Sequence, residues 1–195
     1  MAVVLQPLGN PTFSQLVVQP LLTPDECASI VERNEQNSWE NATIVSSSDA
    51  AGVYDPDVRS VSSQPVPIDD QWPFKRLLAT LAACNADVFR YRLTGIPIQD
   101  RPSILRYQAA NADHFRPHTD VGPSTSTRKL TYIVQLSDPA AYLGGDLLLT
   151  LTGTHVSREQ GSLIVFPSFL QHVVSPVIRG TRHVLVGWVH GPTFS

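Results

Sequence analysis

The hydrophobic positions follow a helical period near the start of the chain and a strand period over most of the remainder. The segment Thr23-Pro24-Asp25-Glu26 is a capping box with proline at the first helical position. Cys27, Ile30 and Val31 then recur at helical spacing. The pattern therefore predicts a helix that begins after Thr23.

A second helix is predicted from about Asp70 to Asn85, and Asp69 or Asp70 is placed to cap it. Its apolar face carries Leu77, Leu78, Leu81 and Cys84. Segment 46–65, between the two helices, is small, polar and rich in turn formers, so it predicts a mobile loop around a short strand at 59–61.

From residue 88 onward, short apolar runs alternate with glycine, proline and serine. Such spacing is typical of strands and turns. The predicted strands cover 88–93, 103–108, 114–118, 130–136, 146–151, 162–166, 172–174 and 181–190. About eight strands predict a mainly β fold, a double-stranded β-helix (jelly roll), with the N-terminal helices packed on one sheet. We expect one domain over 1–195, with helical support over about 1–87 and the jelly-roll core over about 88–190.

Composition narrows the class of protein. The 195 residues are 42% hydrophobic and 16% charged, with a net charge of −3, which is typical of a soluble globular domain and disfavours a nucleic-acid or membrane partner. No apolar stretch is long enough to span a bilayer, and the N-terminus does not resemble a signal peptide. We therefore expect a cytoplasmic protein, monomeric or homodimeric, in which Cys27 and Cys84 are buried reduced thiols.

The first chemical signal is the triplet His118-Thr119-Asp120. Alternate residues of a strand point to one face, so His118 and Asp120 can present an imidazole and a carboxylate to one point. Alone, the triplet favours a surface histidine and a turn aspartate over a metal site. His172, on a separate predicted strand, completes two histidines and one carboxylate, which is the facial triad of non-haem iron(II) oxygenases.

Arg182 is the next signal, ten residues beyond His172. The last predicted strand places Arg182 on the same face as Val184, Val186 and Trp188. A guanidinium on such an apolar face is costly to bury unless it meets an anion, and a carboxylate ligand or a protein carboxylate would both serve.

In this order, the residues resemble the iron(II)/2-oxoglutarate dioxygenase superfamily, and in particular its prolyl 4-hydroxylase-like and PKHD-type hydroxylases. The specific part of the resemblance runs from His118 to Trp188. Its matching segments are Arg128–Thr131, Gln135–Pro139, Tyr142, Gly144–Leu147, Gly161–Ser168, Val174, Pro176-Val177 and Arg179-Gly180. The N-terminal half matches more loosely, at Leu22–Cys27, Val58–Ser60, Asn85 with Phe89, and Leu105–Tyr107.

The resemblance implies Fe(II) held by His118, Asp120 and His172, and 2-oxoglutarate held by Arg182. Tyr107 stands where prolyl hydroxylases have a tyrosine that touches the co-substrate, and Gln135 stands where many relatives have a tyrosine instead. Three further residues are assigned to the substrate pocket: Arg116, Trp188 and Arg59. Ascorbate is the expected reductant. Segment 46–62 and the loop 122–127 are the expected lids.

The implied reaction is hydroxylation of an unactivated C–H, with release of succinate and CO2. Because Asp120 is present, hydroxylation is favoured over the halogenation catalysed by relatives with a small residue there. The substrate is a prolyl residue or another amino-acid-like group; a free amino acid or small metabolite is the close alternative. A non-catalytic sensor of iron and 2-oxoglutarate is a second hypothesis, and nucleic-acid demethylation is a third that the acidic net charge disfavours.

Overall fold

The computed structural model of the protein describes residues 16–46, 49–66 and 73–193, with only the backbone described at 45–46 and 49–51. Its larger sheet is antiparallel and has seven strands. In spatial order these are β1 (Val17–Pro20), β13 (Ser162–Pro167), β9 (Arg128–Gln135), β16 (Thr181–His190), β7 (Ser103–Gln108), β6 (Ser62–Pro65) and β2 (Glu40–Asn41). Strand β16 lies at the centre, paired with β9 on one side and β7 on the other.

The smaller sheet has five antiparallel strands. In spatial order these are β12 (Thr154–His155), β11 (Leu147–Leu149), β14 (His172–Val174), β8 (His114–His118) and β5 (Arg59–Ser60). Two further pairs stand apart from both sheets: β3 (Ile44–Ser46) with β4 (Asp49–Val53), and β10 (Leu143–Gly144) with β15 (Val177–Arg179). The predicted mainly β jelly roll is confirmed.

Two apolar layers hold this arrangement together, and strand β16 contributes to both. Val184 and Val186 join the core between the two sheets, while Leu185 and Val189 join the core beneath the helices. The side chains divide between the two cores because successive residues of a strand point to opposite faces. The inward face of β16 therefore looks into the space between the sheets, as the sequence predicts.

Helix α1 (Pro24–Glu35) begins as predicted. The Thr23 backbone N–H donates to the Glu26 carboxylate at 2.8 Å, and the Glu26 N–H donates to the Thr23 hydroxyl at 3.2 Å. Helix α2 (Phe74–Cys84) is shorter than predicted and begins after Pro73, without a side-chain cap. Asp69 and Asp70, the expected caps, lie outside the described residues.

The prediction of a strand over 88–93 is wrong. Helix α2 continues instead into a π-helical turn (Asn85–Phe89), which ends where Arg90 adopts the left-handed conformation with φ 57°. The Asn85 side chain closes this turn by two hydrogen bonds of 2.9 Å with the backbone of Tyr91. The apolar residues Val88 and Phe89 pack against the core beneath the helices, which explains their hydrophobic character without a strand.

The N-terminal third contributes more strands than the sequence predicts. Strands β1, β2 and β6 extend the larger sheet, and β5 extends the smaller one. Strand β5 confirms the short strand predicted at 59–61, because Arg59 and Ser60 pair with Phe115 and His114 of β8. The 122–127 loop contains one 3-10 turn (Pro123–Thr125). No helix in the described part of the chain is long and apolar enough to cross a membrane.

Candidate metal and anion site

His118, Asp120 and His172 converge between the two sheets. His118 ends β8, His172 begins β14, and the two residues are directly paired across these strands. The His118 Nε2 lies 3.8 Å from Asp120 Oδ1, and the His172 Nε2 lies 3.6 Å from Asp120 Oδ2. The three ligand atoms lie within 4.8 Å of one another. A single metal ion can therefore be reached by all three side chains.

Asp120 does not lie on a strand, although the alternation argument for His118 and Asp120 assumes one. It lies in the bend after β8, and its backbone N–H donates to the carbonyl of Ser168 at 3.0 Å. The Thr131 hydroxyl donates to Asp120 Oδ2 at 2.6 Å, and the Ser168 hydroxyl lies 3.1 Å from that of Thr131. The carboxylate is thus oriented by β9 and by the turn that precedes His172.

Both histidines are held in the tautomer that a metal requires. The Nδ1 of His118 lies 2.8 Å from the carbonyl of Arg116, and the Nδ1 of His172 lies 2.9 Å from the carbonyl of Leu170. A carbonyl only accepts, so each Nδ1 must carry the proton and each Nε2 keeps a free lone pair. Such outer hydrogen bonds are the usual way in which proteins fix metal-binding imidazoles.

The charge states also suit a cation. Burial, together with the neighbouring His172, lowers the pKa of His118 to about 3, so its imidazole is neutral near pH 7. Burial alone would raise the pKa of Asp120, but His172, His118 and the Thr131 hydrogen bond outweigh it, and the pKa is lowered. The His118 imidazole and the Asp120 carboxylate are therefore both in the form that binds a cation near pH 7.

Arg182 lies in the same cleft and is fully buried, with 2% of its surface exposed. Its Nη2 donates to Gln135 Oε1 at 3.1 Å, and its guanidinium lies 5.4 Å from the ring centre of Tyr107. Its Nε has no hydrogen-bond partner. Within residues 16–46, 49–66 and 73–193, no carboxylate lies within 4.0 Å of Arg182, so the described structure offers it no ion pair.

Gln135 is oriented to support Arg182. Its Nε2 donates to the carbonyl of Ser157 at 2.9 Å, so its Oε1 faces the guanidinium. Gln135 does not line the cleft, whereas Tyr107 does. Tyr107 is buried, and burial raises the pKa of its hydroxyl group, so it enters the cleft as a neutral phenol.

The walls of the cleft come from both sheets, and the space between them, including the mouth, is about 430 Å³. Trp188 forms one wall, and Arg128 stacks on its ring with the guanidinium 3.5 Å from the ring centre. Arg128 is itself held by two hydrogen bonds of 2.7 Å to Asp100. Arg59 and Phe115 form part of the opposite wall. Burial lowers the pKa of the Arg59 guanidinium, although nearby Asp120 favours its charge.

Arg116 does not reach the cleft, which corrects its assignment to the substrate pocket. Its side chain is exposed and is not among the lining residues. The register between β14 and β8 is irregular, because His172 pairs with His118 but Val174 pairs with Phe115. This bulge turns Phe115 to the same side as His118, and the two rings stack with centres 3.4 Å apart.

Sequence reasoning assigned no role to Phe115, Thr131, Arg128 or Asp100. Thr131 could have been found from the sequence. It alternates with Ile133 and Gln135 along a buried strand, so the three side chains share one face, and a buried hydroxyl group needs a hydrogen-bond partner. Phe115 could not, because the bulge that reorients it has no sequence signature. Three other histidines lie away from the cleft: His183 and His190 bond to acidic side chains, and His155 is exposed.

One cleft of this jelly roll contains two histidines, one carboxylate and a buried arginine that has no ion-pair partner among the described residues. This combination is typical of the iron(II) oxygenases that bind a carboxylate co-substrate. Comparison with known proteins agrees. Residues 102–190 match the family model of the 2OG-Fe(II) oxygenase superfamily. This match covers 89 of the 195 residues and includes the three convergent side chains and Arg182, so the site-bearing part of the chain is similar to this superfamily.

The chain is similar in sequence to PKHD-type hydroxylases and in fold to prolyl hydroxylases. It is 26% identical to a PKHD-type hydroxylase of Nitrosomonas europaea, over 86% of this chain and 74% of that protein. Its fold resembles that of a Pseudomonas putida prolyl-4-hydroxylase, with TM-score 0.67, 20% identity and coverage of 91% and 92% of the two chains. It also resembles a Trichoplax adhaerens prolyl hydroxylase solved with a hypoxia-inducible-factor peptide, with TM-score 0.71, 14% identity and coverage of 90% and 83%.

Proposed function

We propose that this protein is an Fe(II)- and 2-oxoglutarate-dependent hydroxylase that acts on an unactivated C–H of a prolyl or other amino-acid-like substrate and releases succinate and CO2. One observation carries the proposal: the described structure brings the His118, Asp120 and His172 triad and the unpaired, buried Arg182 into a single cleft. A triad alone would suit several metals and reactions, but an adjoining buried cation adds a site for a dicarboxylate co-substrate.

In this proposal the iron is held by the two Nε2 atoms of His118 and His172 and by the Asp120 carboxylate. The Nδ1 hydrogen bonds prevent each imidazole from turning its protonated nitrogen toward the metal. Thr131 fixes the carboxylate by its 2.6 Å hydrogen bond. The chain thereby presents a preorganised face of three ligands and leaves the remaining positions on the metal for other molecules.

Arg182 is proposed to hold the 5-carboxylate of 2-oxoglutarate. Its bond to Gln135 uses only one of its five N–H donors, and its Nε is unpartnered. Gln135 acts through Arg182 by fixing the orientation of the guanidinium. Tyr107, beneath the same guanidinium, is proposed to complete the co-substrate pocket with its ring and hydroxyl.

When bound, Fe(II) and 2-oxoglutarate supply the oxidising chemistry that inserts one oxygen atom of O2 into a substrate C–H. The chain contributes position and exclusion of water. Val184 and Val186 line the cleft between Arg182 and Trp188 on β16, so the space beside the metal ligands is largely apolar. Trp188 and Arg59 are proposed to contact the substrate. The assay would include ascorbate to keep the iron reduced.

A screen for substrate-dependent succinate formation tests the proposal. The iron-loaded protein would be incubated with 2-oxoglutarate, ascorbate and either prolyl peptides or free amino acids and their derivatives. We expect succinate and a product heavier by one oxygen atom with at least one class. The non-catalytic sensor would be supported by tight binding of 2-oxoglutarate without succinate from any substrate, and the hydroxylase proposal would then be rejected.

A further inference from the structure

The cleft contains a second arginine, Arg59, which is half-buried, has its Nε shielded from water, and has no part in the proposed iron and co-substrate contacts. Arg59 donates from Nη1 to the carbonyl of Thr43 at 2.8 Å, and its Nε is buried without a hydrogen-bond partner. No carboxylate of the described residues lies within 4.0 Å of it. A desolvated guanidinium with a single neutral partner is costly to keep unless an anion joins it.

Its position ties it to the metal ligands. Arg59 pairs with Phe115 across β5 and β8, and its guanidinium lies 4.7 Å from the centre of the Phe115 ring. That ring stacks on His118, with centres 3.4 Å apart and planes 17° apart. The stack of cation, phenyl ring and imidazole places the Arg59 charge one aromatic ring away from a proposed iron ligand, on the wall of the cleft.

The formal charges of the cleft also indicate that a further anion binds there. Among the described residues, the ionic side chains that line it are Asp120, Arg182 and Arg59, with a net charge of +1, since an imidazole binds a metal in its neutral form. Adding Fe(II) gives +3, and adding doubly charged 2-oxoglutarate returns the total to +1. One further negative charge would make the buried site neutral, and a neutral buried site avoids the cost of an unpaired charge.

We propose that Arg59 binds the carboxylate of the hydroxylated substrate, and that this substrate is a small monocarboxylate with an apolar body, such as an N-acylated amino acid. This proposal rests on the proposed function and narrows its substrate class. The neighbouring wall is apolar, formed by Phe115, Leu147 and Val174 among others. The only carboxylate that lines the cleft among the described residues is Asp120, a proposed metal ligand, so a free ammonium would have no partner.

Matched pairs of compounds test this directly on the wild-type protein. N-acetyl-L-proline and N-acetyl-L-prolinamide differ only in the carboxylate, as do the same derivatives of leucine, isoleucine and valine. Binding to the Mn(II)- and 2-oxoglutarate-loaded protein would be measured by calorimetry, and turnover of the iron enzyme by succinate formation. In at least one pair we expect the acid to bind about ten-fold or more tightly than the amide, as for a charge-assisted hydrogen bond.

Three arginine variants test whether the preference for the acid depends on Arg59. Arg59→Gln should abolish the preference for the acid while leaving 2-oxoglutarate affinity within about three-fold of wild type. Arg59→Lys, which keeps the cation, should retain part of the preference. Arg116→Gln is the matched control, since this exposed arginine of β8 lies outside the cleft and should behave as wild type.

The proposal is overturned if acids and amides bind wild type equally or not at all, if only a peptide is bound, or if Arg59→Gln keeps the acid preference. It is also overturned if Arg59→Gln mainly loses 2-oxoglutarate, because Arg59 would then belong to the co-substrate site. Failure of the proposed function would be seen separately, as acid-selective binding that depends on Arg59 without any succinate formation.

Discussion

Gly145 packs directly against the side chain of Arg182. A Cβ at position 145 would lie 3.0 Å from the Arg182 Cδ and 3.0 Å from the Val177 Cγ2, and Gly145 has φ +65°. The turn that contains Gly144 and Gly145 therefore has two roles. It permits the left-handed backbone, and it leaves room for the methylene chain of the arginine that we assign to the co-substrate.

Gly145→Ala is expected to weaken 2-oxoglutarate binding by about ten-fold, because the new methyl group displaces the Arg182 stem. The backbone conformation should also cost about 1–2 kcal/mol of the free energy of unfolding. Gly153→Ala is a matched control: Gly153 also has φ +65°, but no other group lies within 4 Å of the position that its Cβ would take. Both variants should lose similar stability, and equal co-substrate affinity in both would contradict the proposed contact.

Gln135→Glu should compete with the co-substrate. The new carboxylate would replace the Oε1 that now lies 3.1 Å from Arg182 Nη2, and would neutralise the guanidinium from within the chain. We expect 2-oxoglutarate affinity, measured by calorimetry on the Mn(II)-loaded protein, to fall by about ten-fold or more. Gln160→Glu is the control. It also removes a side-chain N–H group that donates to a backbone carbonyl, in this case that of Leu136, and it should keep wild-type affinity. Unchanged affinity in Gln135→Glu would remove Arg182 from the co-substrate site.

Thr131→Val keeps the shape of the side chain but removes the hydroxyl that donates to Asp120. Since Thr131 is fully buried and this bond is 2.6 Å long, the carboxylate should lose its fixed orientation. We expect Fe(II) affinity to fall by about 10- to 100-fold in a metal titration under anaerobic conditions. Thr80→Val, which removes a hydroxyl bond within helix α2, is the control and should not change it. Equal iron affinity in the two variants would show that Thr131 does not support the metal.

The sequence alone predicts those parts of the molecule in which the local hydrophobic pattern also determines which side chains are buried. The inward face of β16, with Arg182, Val184, Val186 and Trp188, lines the cleft as its two-residue period predicts. The capping box of α1 is likewise local and was predicted to the residue. These features depend on neighbours in the chain, which the sequence displays.

Features that depend on pairing between distant segments could not be predicted. The bulge in β8 exists because Phe115 and His118 pair with residues of β14 about sixty positions away, and it decides that Phe115 rather than Arg116 faces the cleft. The sequence predicts a strand over 88–93 because a short apolar run has no decisive period. The Asn85 side chain, which bonds to Tyr91, instead closes a helical turn there.

The pH dependence of stability should depend in part on His183. Burial, together with the nearby positive charge of Arg106, lowers its pKa more than the 2.6 Å contact with Glu35 raises it. The folded protein then holds this proton less tightly than the unfolded chain, whose histidines have pKa values of about 6.5. The free energy of unfolding should therefore fall as the pH is lowered through about 6.5, by at most about 1.4 kcal/mol per pH unit from this residue.

His183→Gln should flatten this dependence when the free energy of unfolding is measured by urea titration between pH 7.5 and 5.5. His155→Gln, at an exposed position, should leave the dependence unchanged. A wild-type protein that becomes more stable on acidification, with that gain lost in His183→Gln, would mean that the Glu35 contact outweighs burial.

The central claim is that His118, Asp120 and His172 hold the iron that the reaction requires. It is tested most directly by measuring, in one set of samples, bound iron and iron-dependent conversion of 2-oxoglutarate to succinate for wild type, His172→Ala and His155→Ala. We predict that His172→Ala loses both tight iron binding and succinate formation, while His155→Ala keeps both. Wild-type iron content and succinate formation in His172→Ala would contradict the assignment of the site.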